Sequence, residues 1–185
     1  MYKNYGARHI FMAIGICVLF FSPIIVLIVP LALVEILYYQ KEIWLTYTPK
    51  ESFVVVGVAM FLIVLACALL WLLNVKKVAI GISVVCLLSS SVLFYMASFP
   101  HVTLSDEEIS YRTLFSKQEQ TYSWNELDQF LYYVVDKEDD GLSYYEFYFK
   151  DGEMLTISQN YYVSDIQMRL NQKVRSVGVD VDYIE

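Results

Sequence analysis

The sequence predicts an α+β membrane protein, in which three transmembrane helices precede a small antiparallel β-rich domain that a C-terminal helix closes. The 185 residues are 57% hydrophobic, more than a soluble core of this length needs. The long uncharged runs all precede Pro100. Charge changes at the same point, because six Lys/Arg and three Asp/Glu precede Pro100, whereas seven and 17 follow. We therefore divide the chain into a membrane region, 1–99, and an acidic domain, 100–185.

Three uncharged segments, 10–34, 53–73 and 78–99, form the predicted spans. Each reaches the ~20 residues that cross a ~30 Å hydrocarbon layer, and backbone groups in lipid require helices. The first run is too long for a cleaved signal peptide and no small-residue cleavage site follows it. Pro23 and Pro30 predict a kink there, and a re-entrant fold at Ser22-Pro23 is the alternative, which would reverse the orientation of everything downstream.

Basic residues predict the orientation of the spans. The N-terminal tail contains Lys3 and Arg8, and the connection between the second and third spans contains Lys76 and Lys77, in both cases without an acid. Such acid-free basic stretches tend to stay in the cytoplasm. The sequence thus predicts a multi-pass protein of the cell membrane, with a cytoplasmic N-terminus and an extracellular C-terminal domain.

The connection between the first two spans is rich in aromatic residues, namely Tyr38, Tyr39, Trp44 and Tyr47. Aromatic rings favour the membrane–water interface. We expect a short loop lying on the membrane as part of an aromatic belt, and a partner-binding role for Trp44 is the alternative.

Residues 101–158 predict six short strands, "HVTLS", "EISYRTLF", "QTYSW", "LDQFLYYVVD", "LSYYEFYFK" and "EMLTIS", separated by turn residues. In the fifth strand the alternation predicts a core face and an opposite face. The core face contains Ser143, Tyr145, Phe147 and Phe149; the opposite face contains Leu142, Tyr144, Glu146 and Tyr148. The period then becomes helical in "SDIQMRLNQKVRSVG", for which Ser164 and Asp165 predict the cap and Gly178 the end.

Two stretches carry a resemblance to a known family, "TLSDEEISYRTLFSKQEQTYSWNELDQF" and "YYEFYFKDGEMLTIS". The shared pattern is a strand, an acidic turn, a second strand, a "Y-S-W-N-E-L" corner and an "F-x-F-x-D-G" hairpin. Residues 100–177 thereby resemble bacterial pleckstrin-homology-like (bPH-type) domains attached to membrane hairpins, and the whole chain resembles small three-pass proteins of Bacillus-type bacteria. The resemblance implies a fold, a bacterial cell membrane and a binding scaffold. It implies no catalytic residue, and many such domains are thought to be cytoplasmic.

Residues typical of catalysis or of cofactor binding do not form a recognisable pattern, so we expect no enzyme activity, cofactor or metal. Cys17, Cys67 and Cys86 lie inside the spans without C-x-x-C spacing, which indicates packing. His9 and His101 stand alone just outside spans, where we interpret both as interface residues. The serine run 89–91 predicts hydrogen bonds between helices, and no glycine-rich phosphate loop is present.

The loop "DKEDDG", 136–141, is the most acidic stretch of the chain. Asp136, Glu138 and Asp140 occupy the first, third and fifth positions of a calcium loop, with Gly141 sixth. The twelfth position is Phe147 rather than Glu, and the flanks are strands. We therefore predict an ordinary solvated hairpin turn, with weak calcium binding or recognition of a basic partner as alternatives.

These observations favour a non-catalytic membrane protein whose acidic domain binds a protein partner, or a second copy, at the membrane surface. The predicted binding surface comprises Tyr144, Glu146, Tyr148, Asp139 and Asp140. The negative charge disfavours nucleic acid and anionic lipid as ligands of this domain. Two alternatives assign the function to the helices: a transport or channel accessory that uses Glu35 and the proline-kinked span, or an immunity-type membrane protein.

Overall fold

The computed structural model describes residues 6–38, 40–135 and 141–184. The chain forms two compact units. We call Met1–Leu37, Thr48–His101 and Thr113–Ser116 the helical unit, and Tyr38–Tyr47, Val102–Arg112 and Lys117–Glu185 the β unit.

The helical unit contains three helices, α1 (Ala7–Tyr38, whose last residue belongs to the β unit), α2 (Lys50–Leu72) and α3 (Lys77–Met96). All three are long and apolar enough to cross a membrane, which confirms a multi-pass membrane protein. Helix α1 includes Pro23 and Pro30 and continues through both for 32 residues. The re-entrant alternative at Ser22-Pro23 is therefore wrong. Pro23 has no N–H for the carbonyl of Leu19, and Ser22 Oγ donates to that carbonyl at 2.9 Å.

Small residues form the contact between α2 and α3. Ala59, Ala66 and Ala79 are buried along it. Ser90 Oγ donates to Ala59 O at 2.9 Å, which confirms the predicted bond between helices for one residue of the serine run. Ser83, outside that run, donates to Ala66 O at 3.0 Å in the same way. Small side chains let helix backbones approach closely, and their hydroxyls find acceptors on the facing helix.

The β unit contains two four-stranded sheets. Its strands are β1 (Ile43–Tyr47), β2 (His101–Ser105, whose first residue belongs to the helical unit), β3 (Glu108–Arg112), β4 (Gln120–Ser123), β5 (Leu127–Tyr133), β6 (Tyr144–Phe149), β7 (Met154–Ser158) and β8 (Val181–Ile184). The first sheet has the order β1-β2-β3-β4 and the second β7-β6-β5-β8. All six strands predicted from 101–158 are present, and with α4 (Tyr161–Ser176) they confirm the α+β class.

Strand β1 is the main departure from the sequence-based expectation, because its residues were expected to form a loop on the membrane. It pairs antiparallel with β2, with Tyr47 opposite Val102. Leu45 is only 5% exposed within the core of the β unit. Trp44 stacks on Trp124 with ring centroids 6.1 Å apart. Trp44 and Tyr47 therefore pack against the core of the β unit, where β1 pairs its backbone with β2.

Aromatic side chains dominate the core of the β unit. Phe130, Tyr145 and Phe147 are fully buried, and Phe130 contacts both others through ring contacts. The chain passes from one sheet to the other through a short 3₁₀ helix, Trp124–Glu126, which a capping box at Ser123 begins. Trp124 is buried and its Nε1 donates to Ser105 O at 3.0 Å. This hydrogen bond ties the corner between the sheets to the β2–β3 turn.

The C-terminal elements begin and end partly as predicted. Helix α4 begins at Tyr161 rather than after Ser164, because Asn160 Oδ1 accepts a hydrogen bond from Val163 N at 3.0 Å and caps the helix one turn earlier. Gly178 adopts φ +84°, which confirms the predicted end. Strand β8 was not predicted, and it pairs parallel with β5, with Val181 opposite Phe130.

Candidate functional site

The predicted binding surface lies on the outer face of β6. Exposure alternates along the strand, so that Tyr145, Phe147 and Phe149 are buried while Tyr144, Glu146 and Tyr148 are half-buried. This alternation confirms the two faces assigned from the sequence. Neighbouring strands extend the outer face, because Tyr133 of β5 pairs with Tyr144, and Met154 of β7 pairs with Tyr148.

Contacts on this outer face centre on the carboxylate of Glu146. Tyr148 OH donates to Glu146 Oε2 at 2.8 Å, and this hydrogen bond is the main cause that raises the pKa of Tyr148. Desolvation, followed by the charge of Glu146, raises the pKa of Tyr133. The rings of Tyr133 and Tyr144 stack with centroids 4.7 Å apart. We call Tyr133, Tyr144, Glu146 and Tyr148 the tyrosine cluster; it presents one carboxylate framed by flat rings.

Asp139 and Asp140, the other predicted binding residues, lie outside the described residues. So do Asp136 and Glu138 of the calcium alternative. Within the ranges that the structure describes, no group of three or more His, Cys, Asp or Glu side chains is placed to hold a metal ion.

A second concave region of the β unit lies at the β2–β3 turn and has a cavity volume of about 530 Å³. It is polar, and carboxylates outnumber cations along it. Its charged lining residues are Lys41, Glu42, Asp106, Glu107, Glu108, Glu119 and Arg169. Ser105 Oγ accepts hydrogen bonds from the backbone N–H groups of Glu107 and Glu108, which fixes the acidic turn.

Arg169 of α4 closes one side of this cavity. Its Nη2 contacts both carboxylate oxygens of Asp106 at 3.0 Å, and its guanidinium lies 5.0 Å above the ring of Trp44. The same ring stacks on Trp124. Trp44 thus contacts both a cation and a second indole, and one of the two cations that line the cavity is already paired with Asp106.

The remaining residues singled out in the sequence belong neither to the tyrosine cluster nor to the lining of the cavity. The cysteines lie in three different helices, with Cys17 exposed and Cys67 buried. His101 is fully buried and its Nδ1 lies 2.7 Å from Phe99 O, so its interpretation as an interface residue is wrong. Glu35 is exposed on α1 near its end.

Sequence reasoning missed the cavity because it did not predict β1. The available signal was the run of β-branched and aromatic residues in "IWLTY", which the expectation of an aromatic belt concealed. Neither a protein-family model nor a curated protein matches this chain.

Proposed function

We propose that this chain is a non-catalytic integral membrane protein whose acidic β unit binds a protein partner through the tyrosine cluster. The observation that carries the proposal is the outer face of β6, where Tyr144, Glu146 and Tyr148 stand in a row beside Tyr133. Tyrosines supply rigid contact area at small entropic cost, and they are enriched where protein surfaces meet.

Charge defines the kind of partner. Glu146 lies half-buried among tyrosine rings. An ion pair between this carboxylate and a cationic side chain of a partner is therefore stronger than one with a fully solvated acid. An arginine fits best, because its guanidinium pairs with a carboxylate while stacking on tyrosine rings. The partner is accordingly a protein with an exposed arginine or lysine set in an apolar surround.

Two sheets followed by a helix are the kind of fold that the bPH-type resemblance implies, and they support assigning the β unit to that class of binding scaffold. We further propose a bacterial cell membrane, with the N-terminus in the cytoplasm and the β unit outside. The acid-free basic stretches at Arg8 and at Lys76-Lys77 support this orientation. Labelling of D165C, but not of K77C, by a membrane-impermeant maleimide on intact cells is the expected result.

Photocrosslinking in native membranes tests the partner. A benzoylphenylalanine replaces Met154, which pairs with Tyr148 and is 48% exposed, or Met168 of α4, which is 74% exposed. We expect a defined adduct from the first position and none from the second. An adduct of twice the chain mass identifies a second copy as the partner.

Charge reversal supplies the matched control. Glu146→Lys should abolish the Met154 adduct, whereas Asp165→Lys, an exposed acid of α4, should leave it unchanged. Glu146→Gln keeps the size of the side chain and should weaken the adduct without affecting folding. Equal adducts from both crosslinker positions, or an adduct insensitive to Glu146→Lys, would contradict the proposal.

A further inference from the structure

One end of the helical unit gathers basic residues from two distant stretches. Arg8 begins α1, and Lys76 and Lys77 begin α3; all three side chains are exposed. Arg8 Nη1 donates to Asn74 Oδ1 at 2.8 Å across 66 residues of sequence. Asn74 lies in the α2–α3 connection, where it adopts φ 52°. The hydrogen bond therefore joins the start of α1 to this connection and forms one basic end, which we define as Arg8, Lys76 and Lys77.

No acid of the helical unit compensates this basic end. The unit has two acids, Glu35 and Glu51. At ~1.5 Å rise per residue, Glu35 lies about 40 Å from Arg8 along α1, and Glu51 lies about 30 Å from the end of α2. Both distances far exceed the ~8 Å over which charges act at physiological salt. Among the described residues, Arg8, Lys76 and Lys77 have no ion pair with a carboxylate.

Exposed apolar side chains adjoin the basic end. Trp71 and Leu72 precede the connection and Val78 follows it, with exposed fractions of 39%, 61% and 70%. Within a few residues the surface changes from apolar side chains to three cations. Such a change from apolar to basic residues is typical of the depth at which the phosphates of a bilayer lie, and an indole favours the same depth.

We propose that Arg8, Lys76 and Lys77 bind the phosphate headgroup of an anionic phospholipid. Asn74 accepts one guanidinium N–H and so orients Arg8, which makes it a positioning residue. The Nε–H of Arg8 donates to His9 Nε2 at 3.3 Å. Its remaining guanidinium N–H groups form charge-assisted hydrogen bonds to phosphate oxygens, while the two lysines act as nearby point charges. An anionic headgroup supplies the counter-charge that the helical unit lacks.

Lipid selectivity of the full chain tests this site. The protein is reconstituted in nanodiscs containing equal parts of phosphatidylglycerol and phosphatidylcholine, and co-released lipid is measured by native mass spectrometry. Wild type should retain phosphatidylglycerol preferentially. Each neutralisation, Arg8→Gln, Lys76→Gln or Lys77→Gln, should reduce that preference by about five-fold, the effect of one basic residue near an anionic surface.

Three controls separate this site from general attraction. Lys41→Gln/Lys50→Gln removes two exposed cations elsewhere and should leave the preference unchanged. Lys76→Arg/Lys77→Arg keeps the charge and should retain it, even where the Gln variants prove unstable. Excess inorganic phosphate should not displace the lipid, because the exposed apolar side chains beside the basic end add to lipid binding and not to phosphate binding. Equal retention of both lipids by wild type would overturn the proposal. So would a loss of preference in Lys41→Gln/Lys50→Gln as large as that in Lys76→Gln or Lys77→Gln, or displacement of the lipid by phosphate.

Discussion

The helical unit and the β unit differ in the side chains that they bury. Large aromatic residues such as Phe130 and Phe147 fill the β unit. In the helical unit the buried residues of α2 and α3 include the small Ala59 and Ser83 beside the larger Met60, while many other large apolar side chains are exposed. Water drives large apolar groups together, whereas lipid tails solvate them as well as a neighbouring helix does. Hydrophobicity therefore indicates burial in the β unit, whereas in the helical unit it does not separate buried from exposed residues.

Hydroxyl groups follow the same division. In the helical unit, Ser83 and Ser90 donate to backbone carbonyls of the facing helix. In the β unit, tyrosine hydroxyls reach side chains, as when Tyr132 OH donates to Gln159 Oε1 at 2.7 Å. A hydroxyl in lipid has few alternative partners, whereas one at a wet surface exchanges its partner with water.

The largest expected effect concerns Trp44, which the sequence suggested was a membrane anchor and the structure places in the β unit. Trp44→Ala removes the stack on Trp124 and the contact with Arg169, and should destabilise the β unit by about 2–4 kcal/mol. Pulse proteolysis of the full chain in detergent, with fragments mapped to each unit, measures this loss.

Two tryptophan variants sharpen that test. Trp71→Ala removes an exposed indole of α2 and should leave the β unit unchanged. Trp44→Phe keeps one aromatic ring and removes Nε1, a buried atom with no hydrogen-bond partner in the described part of the chain, so it should cost clearly less than Trp44→Ala. If Trp44→Ala were as stable as wild type, Trp44 would not contribute to the β unit. Its interpretation as part of an aromatic belt at the membrane surface would then stand.

A smaller effect is expected from the serines of the helical unit. Ser83→Ala/Ser90→Ala removes both hydroxyl bonds between α2 and α3 and should cost about 1 kcal/mol, since such bonds average ~0.6 kcal/mol each in membranes. Titration with sodium dodecyl sulfate, monitored by circular dichroism, measures the change in the free energy of unfolding. Ser91→Ala is the matched control, because Ser91 bonds to Leu87 O within its own helix. If Ser91→Ala lost as much stability as Ser83→Ala/Ser90→Ala, the bonds between α2 and α3 would have no special role.

The smallest expected effect is a pH dependence confined to the β unit. Asp151 has a pKa below its ordinary value of 3.8, first because Glu153 N donates to its Oδ1 at 3.0 Å and then because Tyr122 OH donates to Oδ2 at 2.7 Å. A carboxyl whose pKa is lowered by folding stabilises the fold above its ordinary pKa. That contribution is lost as pH falls through the folded-state pKa.

Asp151→Asn should therefore be slightly less stable than wild type at neutral pH. The difference should begin to shrink as pH falls through about 3.8 and should vanish only below the lowered pKa of the folded state. Chemical denaturation of the full chain at a series of pH values, monitored by tryptophan fluorescence, measures the difference. Asp128→Asn, an exposed acid of β5, provides the comparison. A difference that persists unchanged into acid would contradict the assigned hydrogen bonds.

The sequence by itself determined those features that depend on local pattern. Uncharged runs of span length required helices, and the alternation in "YYEFYF" separated the buried Tyr145 and Phe147 from the outward Tyr144 and Glu146. Gly178 marked the end of α4 because its φ of +84° is costly for other residues. Such features depend on neighbours within a few residues, so the printed sequence contains them.

Only the tertiary structure decided which distant segments meet. Five residues between two spans became β1 because β2, more than fifty residues later, offers an unpaired edge and a core that Leu45 fills. Asn160 rather than Ser164 caps α4, and Arg8 reaches Asn74 across 66 residues. The free energy of these contacts comes from partners that no local window includes. For that reason the tyrosine face was predictable from the sequence, whereas the cavity beside Trp44 and the contact of Arg8 with Asn74 were not.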